Sequence, residues 1–542
     1  MSEFRVASIF SDHCVLQRQK PIRFFGWGED GDIVTVEMKG ISQHGEVIDG
    51  KWEVLMPAFD SEKNVTVSIR TDSGREKIFH DVAIGEVWLA GGQSNMELEI
   101  QTMKDGEAYL ARQDERNERI RFYYTQKNAY MDETFYEGER NSGWNLWEYG
   151  PRAWSAVGYL FALELAERFP DQIIGIIGCN WGGTSCSAWM SEESLLEDRD
   201  TASYVEEYYA AIAGKTVEEQ LKEYAEYEEY DRAWNERQMK VYETVPNATW
   251  DDVLRIAGEC KWPGPMNCKN PFRPAGLYKC MIDRVKPYTI RGFLYYQGES
   301  DDHKPGMYYK LFTRLIREWR TYWKDNELPF LMVQLPMHRY SADPDYKHWP
   351  LIREAQMEAF QTVKNTGIAV IIDSGEFSEI HPKDKLPVAH RLALQAFSQV
   401  YHCISDKDAF GPIYNGSILQ TNEGGLELGF SYAEDGFDIH HDPIARKNAG
   451  ISENDTSLSF ELAGTDKIFY PADRVTLKKG TIELASEKVP SPVYARYCWT
   501  NYGETPIYGK NGIPLAPFRT AKDDEREAKE TVKVEIQQKM EL

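Results

Sequence analysis

The sequence predicts an α/β protein in which helices cover both faces of a parallel sheet, with a β-sandwich-like domain before it and a second β domain after it. Three observations lead there. Across the middle of the chain, short apolar runs alternate with helix-length stretches, as strand–helix–strand units require. The first 80 residues alternate apolar and polar side chains, the period of half-buried strands. After about residue 406, strand-like segments return.

The N-terminal domain is read over residues 1–83. Val34, Val36 and Met38 form one alternating run, Trp52, Val54 and Met56 a second, and Val65, Val67 and Ile69 a third. Turn signals such as Glu29-Asp30-Gly31-Asp32 and Asp49-Gly50 separate them. The α/β domain follows over 84–405. Val87–Ala90, Ile173–Ile177, Phe293–Tyr296, Phe330–Val333 and Ile368–Ile372 read as buried strands, and 153–169, 306–324, 351–364 and 387–401 as helices. A helical insertion is expected at about 191–260. There Thr216-x-x-Glu219 reads as a capping box, followed by Val217, Leu221, Tyr224, Tyr227, Tyr230 and Trp234 in steps of three and four. Packing against the main domain is the simpler role for that face; a lid or an oligomer contact is the alternative. Leu426–Leu428 and Thr481–Leu484 mark the C-terminal β domain, 406–520, and 521–542 form a charged tail expected to be solvated.

Composition narrows the function. A chain of 542 residues exceeds the about 100–150 typical of one domain, and 42 % apolar residues suffice for large cores. With 62 Lys and Arg against 87 Asp and Glu, the net charge is −25. Such a surface repels phosphate backbones and anionic lipid heads, which argues against nucleic-acid and membrane-surface partners. A small anionic substrate is not excluded, because a local pocket can oppose the global sign. The N-terminus has no apolar leader core, and no run approaches about 18 uncharged apolar residues, so neither a signal peptide nor a span is expected. Eight cysteines form no C-x-x-C pair, which reads as reduced thiols without a zinc site and, with no leader, as a cytoplasmic protein.

The strongest chemical signal is Gly85-Glu86-Val87-Trp88-Leu89-Ala90-Gly91-Gly92-Gln93-Ser94-Asn95-Met96. An apolar strand runs into two glycines and a serine, which places Ser94 where open α/β sheets bind ligands. The competing role for Ser94 is an ordinary helix cap. Two further strand ends are polar: Gly178-Cys179-Asn180-Trp181-Gly182-Gly183-Thr184-Ser185 and Gln297-Gly298-Glu299-Ser300-Asp301. Backbone N–H groups of a glycine loop and a Gln amide are the donors that a tetrahedral oxyanion needs. Taken singly, Gly182 and Gly183 could form a plain turn and Gln297 could be a satisfied buried amide. Three polar ends in one sheet are harder to dismiss. For a base, His381 lies in the loop between the fifth strand and the last helix, at the same sheet edge as Ser94. His441, in Asp438-Ile439-His440-His441, has D-x-x-H spacing but falls in the C-terminal β region.

Taken in this order, these residues resemble the sialate O-acetylesterase family of the SGNH (GDSL-like) hydrolases. Phe10-Ser11-Asp12-His13-Cys14-Val15-Leu16-Gln17-Arg18 is similar to the family's N-terminal signature, and Arg273-Pro274-Ala275-Gly276-Leu277-Tyr278 precedes Tyr296-Gln297-Gly298-Glu299-Ser300 as it does there. Phe460–Gly464 and Gly512–Thr520 also match, so the resemblance spans residues 6–520. It implies that Ser94 is the nucleophile and His381 the base. The oxyanion hole would be the Ser94 N–H, a glycine of the Gly182–Gly183 pair and the Gln297 side chain, with no metal or cofactor. The general SGNH pattern has Asp three residues before the histidine, where this chain has Ser378. Many relatives carry Asp-Ile-His-Pro, where it has Glu379-Ile380-His381-Pro382. Glu379 or a backbone carbonyl would then orient the imidazole.

The implied activity is removal of acetyl groups from sugars, with acetylated sialic acid as the family's namesake substrate and acetylated xylo- or manno-oligosaccharides as rivals. An acetylated sugar is thus the expected partner, and a homo-oligomer is left open. A carbohydrate-binding protein on an inactive hydrolase scaffold is the reading from another class; retention of Ser94, His381 and Gln297 together argues against it. A glycosidase using Glu299 lacks an evident second carboxylate.

Overall fold

The computed structural model describes residues 4–246, 248, 250–340 and 343–522. The charged tail expected at 521–542 lies outside these residues from 523 onward. The chain falls into two compact units. One comprises the described residues of 1–125, 142–183 and 286–542, the other 126–141 and 184–285.

The first unit is built on an eleven-stranded mixed sheet. Its main strands are β1 (Glu62–Thr71), β2 (Glu76–Gly92), β3 (Ile120–Tyr124), β4 (Trp144–Leu146), β5 (Ile174–Asn180), β6 (Gly292–Tyr296), β7 (Phe330–Gln334) and β8 (Thr366–Val370). The central path runs β4-β3-β5-β2-β6-β7-β8. Every pair along it is parallel except β4 with β3. Burial on both faces explains why these strands read as unbroken apolar runs. Helices Ala156–Arg168, Pro305–Tyr322, His348–Thr362 and Leu386–Gln395 occupy the stretches expected to be helical, each within a few residues. The exception is 396–400, where the last helix widens into a π turn.

The expected border between residues 83 and 84 falls inside β2, a single 17-residue strand. Its first half pairs antiparallel with β1, and from Glu86 it runs parallel to β5. The change from alternating to continuous apolar sequence marks a change of burial along one strand, not a break in the chain. Glu86, fully buried at this junction, is held by Arg18, by Arg291 at 2.8 and 3.0 Å and by Tyr401 at 2.9 Å. The Gln17-Arg18 end of the N-terminal signature therefore supports the strand that leads to Ser94. Removing one partner of such a buried pair costs about 3–5 kcal/mol.

After residue 406 the strands form a four-stranded sheet (Ile413–Gln420, Leu426–Ser431, Thr481–Ala485, Arg474–Leu477), a second four-stranded sheet and a two-stranded pair. In the N-terminal region Val34, Val36 and Met38, and Trp52, Val54 and Met56, point inward from their strands as the alternation predicts.

The second unit is helical and wider than the expected insertion. It contains Glu133–Arg140, Glu192–Leu196, Arg199–Ile212, Val217–Thr244 and Trp250–Ala257. The Thr216/Glu219 capping box is formed in both directions, at 3.2 and 2.8 Å. Trp234 and Val241 of the long helix pack on Val253 and Ala257 within the same unit. Val217, in the apolar series by sequence, is exposed. Among the described residues no helix is long and apolar enough to cross a membrane.

Candidate active site

Register places three strand ends together. Gly92 at the end of β2 lies opposite Asn180 of β5 on one side and Tyr296 of β6 on the other. Ser94, Gly182 and Gln297 follow these residues by two, two and one positions, so all three emerge at one sheet edge. Gly92 has φ of 132°, and a Cβ there would collide with the Tyr296 carbonyl. Only glycine lets the chain leave the sheet at this point.

A short helix, Ser94–Glu97, begins immediately afterwards with Gln93 as its N-cap. Ser94 is thus the first helical residue and not the cap. Its hydroxyl instead meets the expected base: Ser94 Oγ lies 2.8 Å from His381 Nε2. His381 is 43 % exposed, so substrate can reach the pair. As a first-turn residue, Ser94 has a backbone N–H without an intrahelical acceptor.

The loop carrying His381 is turned by Ser378, a non-glycine residue with φ of 58° whose N–H donates to the Arg339 carbonyl at 3.0 Å. This folds Glu379 back. Glu379 Oε1 accepts the backbone N–H of His381 at 2.8 Å and stands 3.6 Å from its Nδ1. That is close enough for charge to act but longer than a hydrogen bond. Burial pushes the Glu379 carboxyl upward, and the contacts and charge of His381 outweigh it, leaving it below the usual carboxylate range. Asp373 of the same loop is instead gripped by both Arg391 terminal nitrogens at 2.5 and 2.8 Å. His441 bonds Glu504 at 2.9 Å in the C-terminal region, where Arg446 bonds the same carboxylate.

The expected oxyanion donors differ from one another. Gly182 donates its N–H to Glu97 Oε2 at 2.6 Å, an acceptor that the sequence reading missed. A Cβ on Gly182 would sit 3.1 Å from the Ser94 Cβ, a tight contact that glycine relieves. Gly183 turns the chain with φ of 76°. Gln297 is buried; its Nε2 donates to Asp301 at 2.6 Å and its Oε1 accepts from Tyr308 at 3.0 Å. Those two contacts fix which end of the amide is nitrogen, and that nitrogen carries a second hydrogen. Sequence reasoning also missed Asn95 and Lys385, which pair behind Ser94 at 2.5 Å. A buried lysine has no signal in sequence.

Comparison with known proteins points to esterase chemistry. The family model for carbohydrate esterases described as sialic acid-specific acetylesterases matches residues 84–220 and 265–387, the segments that carry Ser94, Gly182, Gln297 and His381. Over these segments the chain is similar to that family. Mouse sialate O-acetylesterase is 27 % identical over 73 % of this chain and 74 % of its own, and the human one 24 % identical over 95 % and 92 %. A solved carbohydrate acetylesterase from Xanthomonas citri superposes with a TM-score of 0.71 at 25 % identity, covering 96 % of this chain and all of its own. The chain is a carbohydrate O-acetylesterase, an ester hydrolase acting on an acetylated sugar.

Proposed function

We propose that this enzyme removes O-acetyl groups from sialic acid through a Ser94 acyl-enzyme on an SGNH-type fold, and that the 2.8 Å contact between Ser94 Oγ and His381 Nε2 carries the chemistry. Ser94 Oγ attacks the acetyl carbonyl while His381 Nε2 takes its proton. The ring then returns that proton to the sugar oxygen as it leaves. Water, deprotonated by the same nitrogen, hydrolyses the acetyl-enzyme. The Ser94 N–H and the Gln297 side chain are assigned as donors to the oxyanion. Glu97 holds the Gly182 N–H, so the glycine donor is assigned to Gly183, and Gly182 serves to let the loop approach Ser94.

Glu379 supports His381 by charge more than by a direct bond. Glu379→Gln is expected to lower kcat about tenfold to a hundredfold, well short of the ~10⁴ lost when a fully bonded triad acid is neutralised. Asp373→Asn should lower stability through Arg391 and leave kcat per folded molecule near wild type. A loss near 10⁴ at Glu379 would mean that the carboxylate closes onto Nδ1 during turnover.

Sialic acid is chosen over neutral sugars because of Arg339. No carboxylate among the described residues pairs with its guanidinium, whose Nε is buried without a hydrogen-bond partner and whose Cζ lies 5.6 Å from the Phe377 ring on the His381 loop. In a chain of charge −25, an arginine with no carboxylate partner among the described residues, set against Phe377 of the loop that carries His381, suits a sugar carboxylate. Acetate release should therefore be faster from O-acetylated sialic acids than from acetylated xylo- or manno-oligosaccharides. Arg339→Gln should lower kcat/KM about tenfold or more for the sialic acid and leave the neutral esters unchanged. Faster release from the oligosaccharides would instead assign the enzyme to neutral glycans. The eight free thiols support a reducing, cytoplasmic setting.

A further inference from the structure

Asn95 is fully buried beside Ser94, and its side chain is bonded on every side. Nδ2 donates to the Ile380 carbonyl at 2.9 Å and to Glu299 Oε1 at 2.6 Å, while Oδ1 accepts from Lys385 Nζ at 2.5 Å. Turned over, the amide would set its oxygen against a carbonyl and a carboxylate and its hydrogens against an ammonium. One orientation alone is satisfied. That orientation ties together three segments at the sheet edge: the Ser94 helix, the turn after β6 and the loop of His381. Ile380 immediately precedes His381.

We propose that Asn95 is a positioning residue for the base: it holds Ile380, and with it His381, at hydrogen-bond distance from Ser94, and Lys385 and Glu299 lock its amide in the one orientation able to do so. This rests on the Ser94–His381 reading above. An aligned nucleophile and base need to be held within fractions of an ångström, and a misplacement of about 1 Å can cost 10²-fold. Lys385 and Glu299 are 2 % and 4 % exposed, so both charges depend on each other and on the amide between them.

The lock is sensitive to pH through Lys385. Burial lowers its pKa, opposed by the carboxylates of Glu299, Glu376, Glu379 and Asp384, to about 8; the Tyr296 ring lies 5.5 Å from Nζ. Burial raises Glu299, opposed by Asn95, His381 and Lys385. Above pH about 8 the ammonium loses its proton, Asn95 Oδ1 loses its charged donor and Glu299 its counter-charge, so kcat should decline through that range.

The test measures kcat and KM on p-nitrophenyl acetate from pH 6 to 10, together with the rate at which paraoxon phosphorylates Ser94, in wild type, Asn95→Ala, Asn95→Asp, Lys385→Met and Lys385→Arg. Asn95→Ala and Asn95→Asp are expected to lose about 100-fold in kcat with little change in KM, and Ser94 labelling should slow in parallel. Lys385→Met should lack the alkaline decline, and Lys385→Arg should retain most activity with the decline moved to higher pH. Variants labelled as fast as wild type, or a Lys385→Met profile identical in shape to wild type, would overturn the proposal while leaving Ser94 and His381 in place. If Asn95→Ala fails to fold, Asn95→Asp and the near-isosteric Lys385→Met decide the question. A wild type unlabelled at Ser94 would overturn the nucleophile assignment, and this inference with it.

Discussion

Ser94→Ala is expected to lower turnover of acetyl esters by about 10⁴-fold or more while the fold survives. Because Gln93 occupies the N-cap, the mutation removes no cap, and the hydroxyl lost makes its contact with His381. The net worth of one such hydrogen bond is about 1 kcal/mol, too little to unfold a chain of this size. The loss must therefore appear in kcat and not in melting temperature or circular dichroism. Activity near wild type in the mutant would remove Ser94 from the chemistry.

His381→Ala should be as damaging as Ser94→Ala, and the double mutant no worse than either, since nucleophile and base act as one unit. His441→Ala provides the contrast. It removes one of three partners of the buried Glu504 carboxylate, the Asp442 N–H remaining at 3.0 Å and Arg446 at 2.7 Å, so its cost belongs to stability. Per folded molecule it should turn over as wild type does. A dead His441→Ala variant with a normal melting temperature would move the active site to the C-terminal β region.

Much of the site could be read from the sequence, because apolar strands ending in polar residues define a parallel sheet and its ligand edge. Val87–Ala90 followed by two glycines pointed to Ser94, and loop position separated His381 from His441. The limits of β2 could not be read, because a strand passing from a half-buried to a fully buried setting changes its pattern without ending. The second unit also exceeded the expected insertion, since residues 126–141, which join it in space, lie far from it in sequence. Side-chain contacts were least legible. That Glu97 takes the Gly182 N–H, that Tyr308 and Asp301 orient Gln297, and that Lys385 is buried against Asn95 all depend on packing between segments. Lys385 gave no sign of burial in particular, because lysine is almost never fully buried unless paired and its partners here lie on other segments.

The central claim, that Ser94 is a nucleophile activated by His381, is tested most directly by trapping it. Wild-type enzyme and His381→Ala are incubated with paraoxon, and the modified residue is located by peptide mass spectrometry. We expect one diethylphosphoryl group on Ser94 in wild type, loss of esterase activity in step with its appearance, and little or no adduct in His381→Ala. Complete inactivation with the adduct on another residue, or full activity retained with Ser94 modified, would contradict the account.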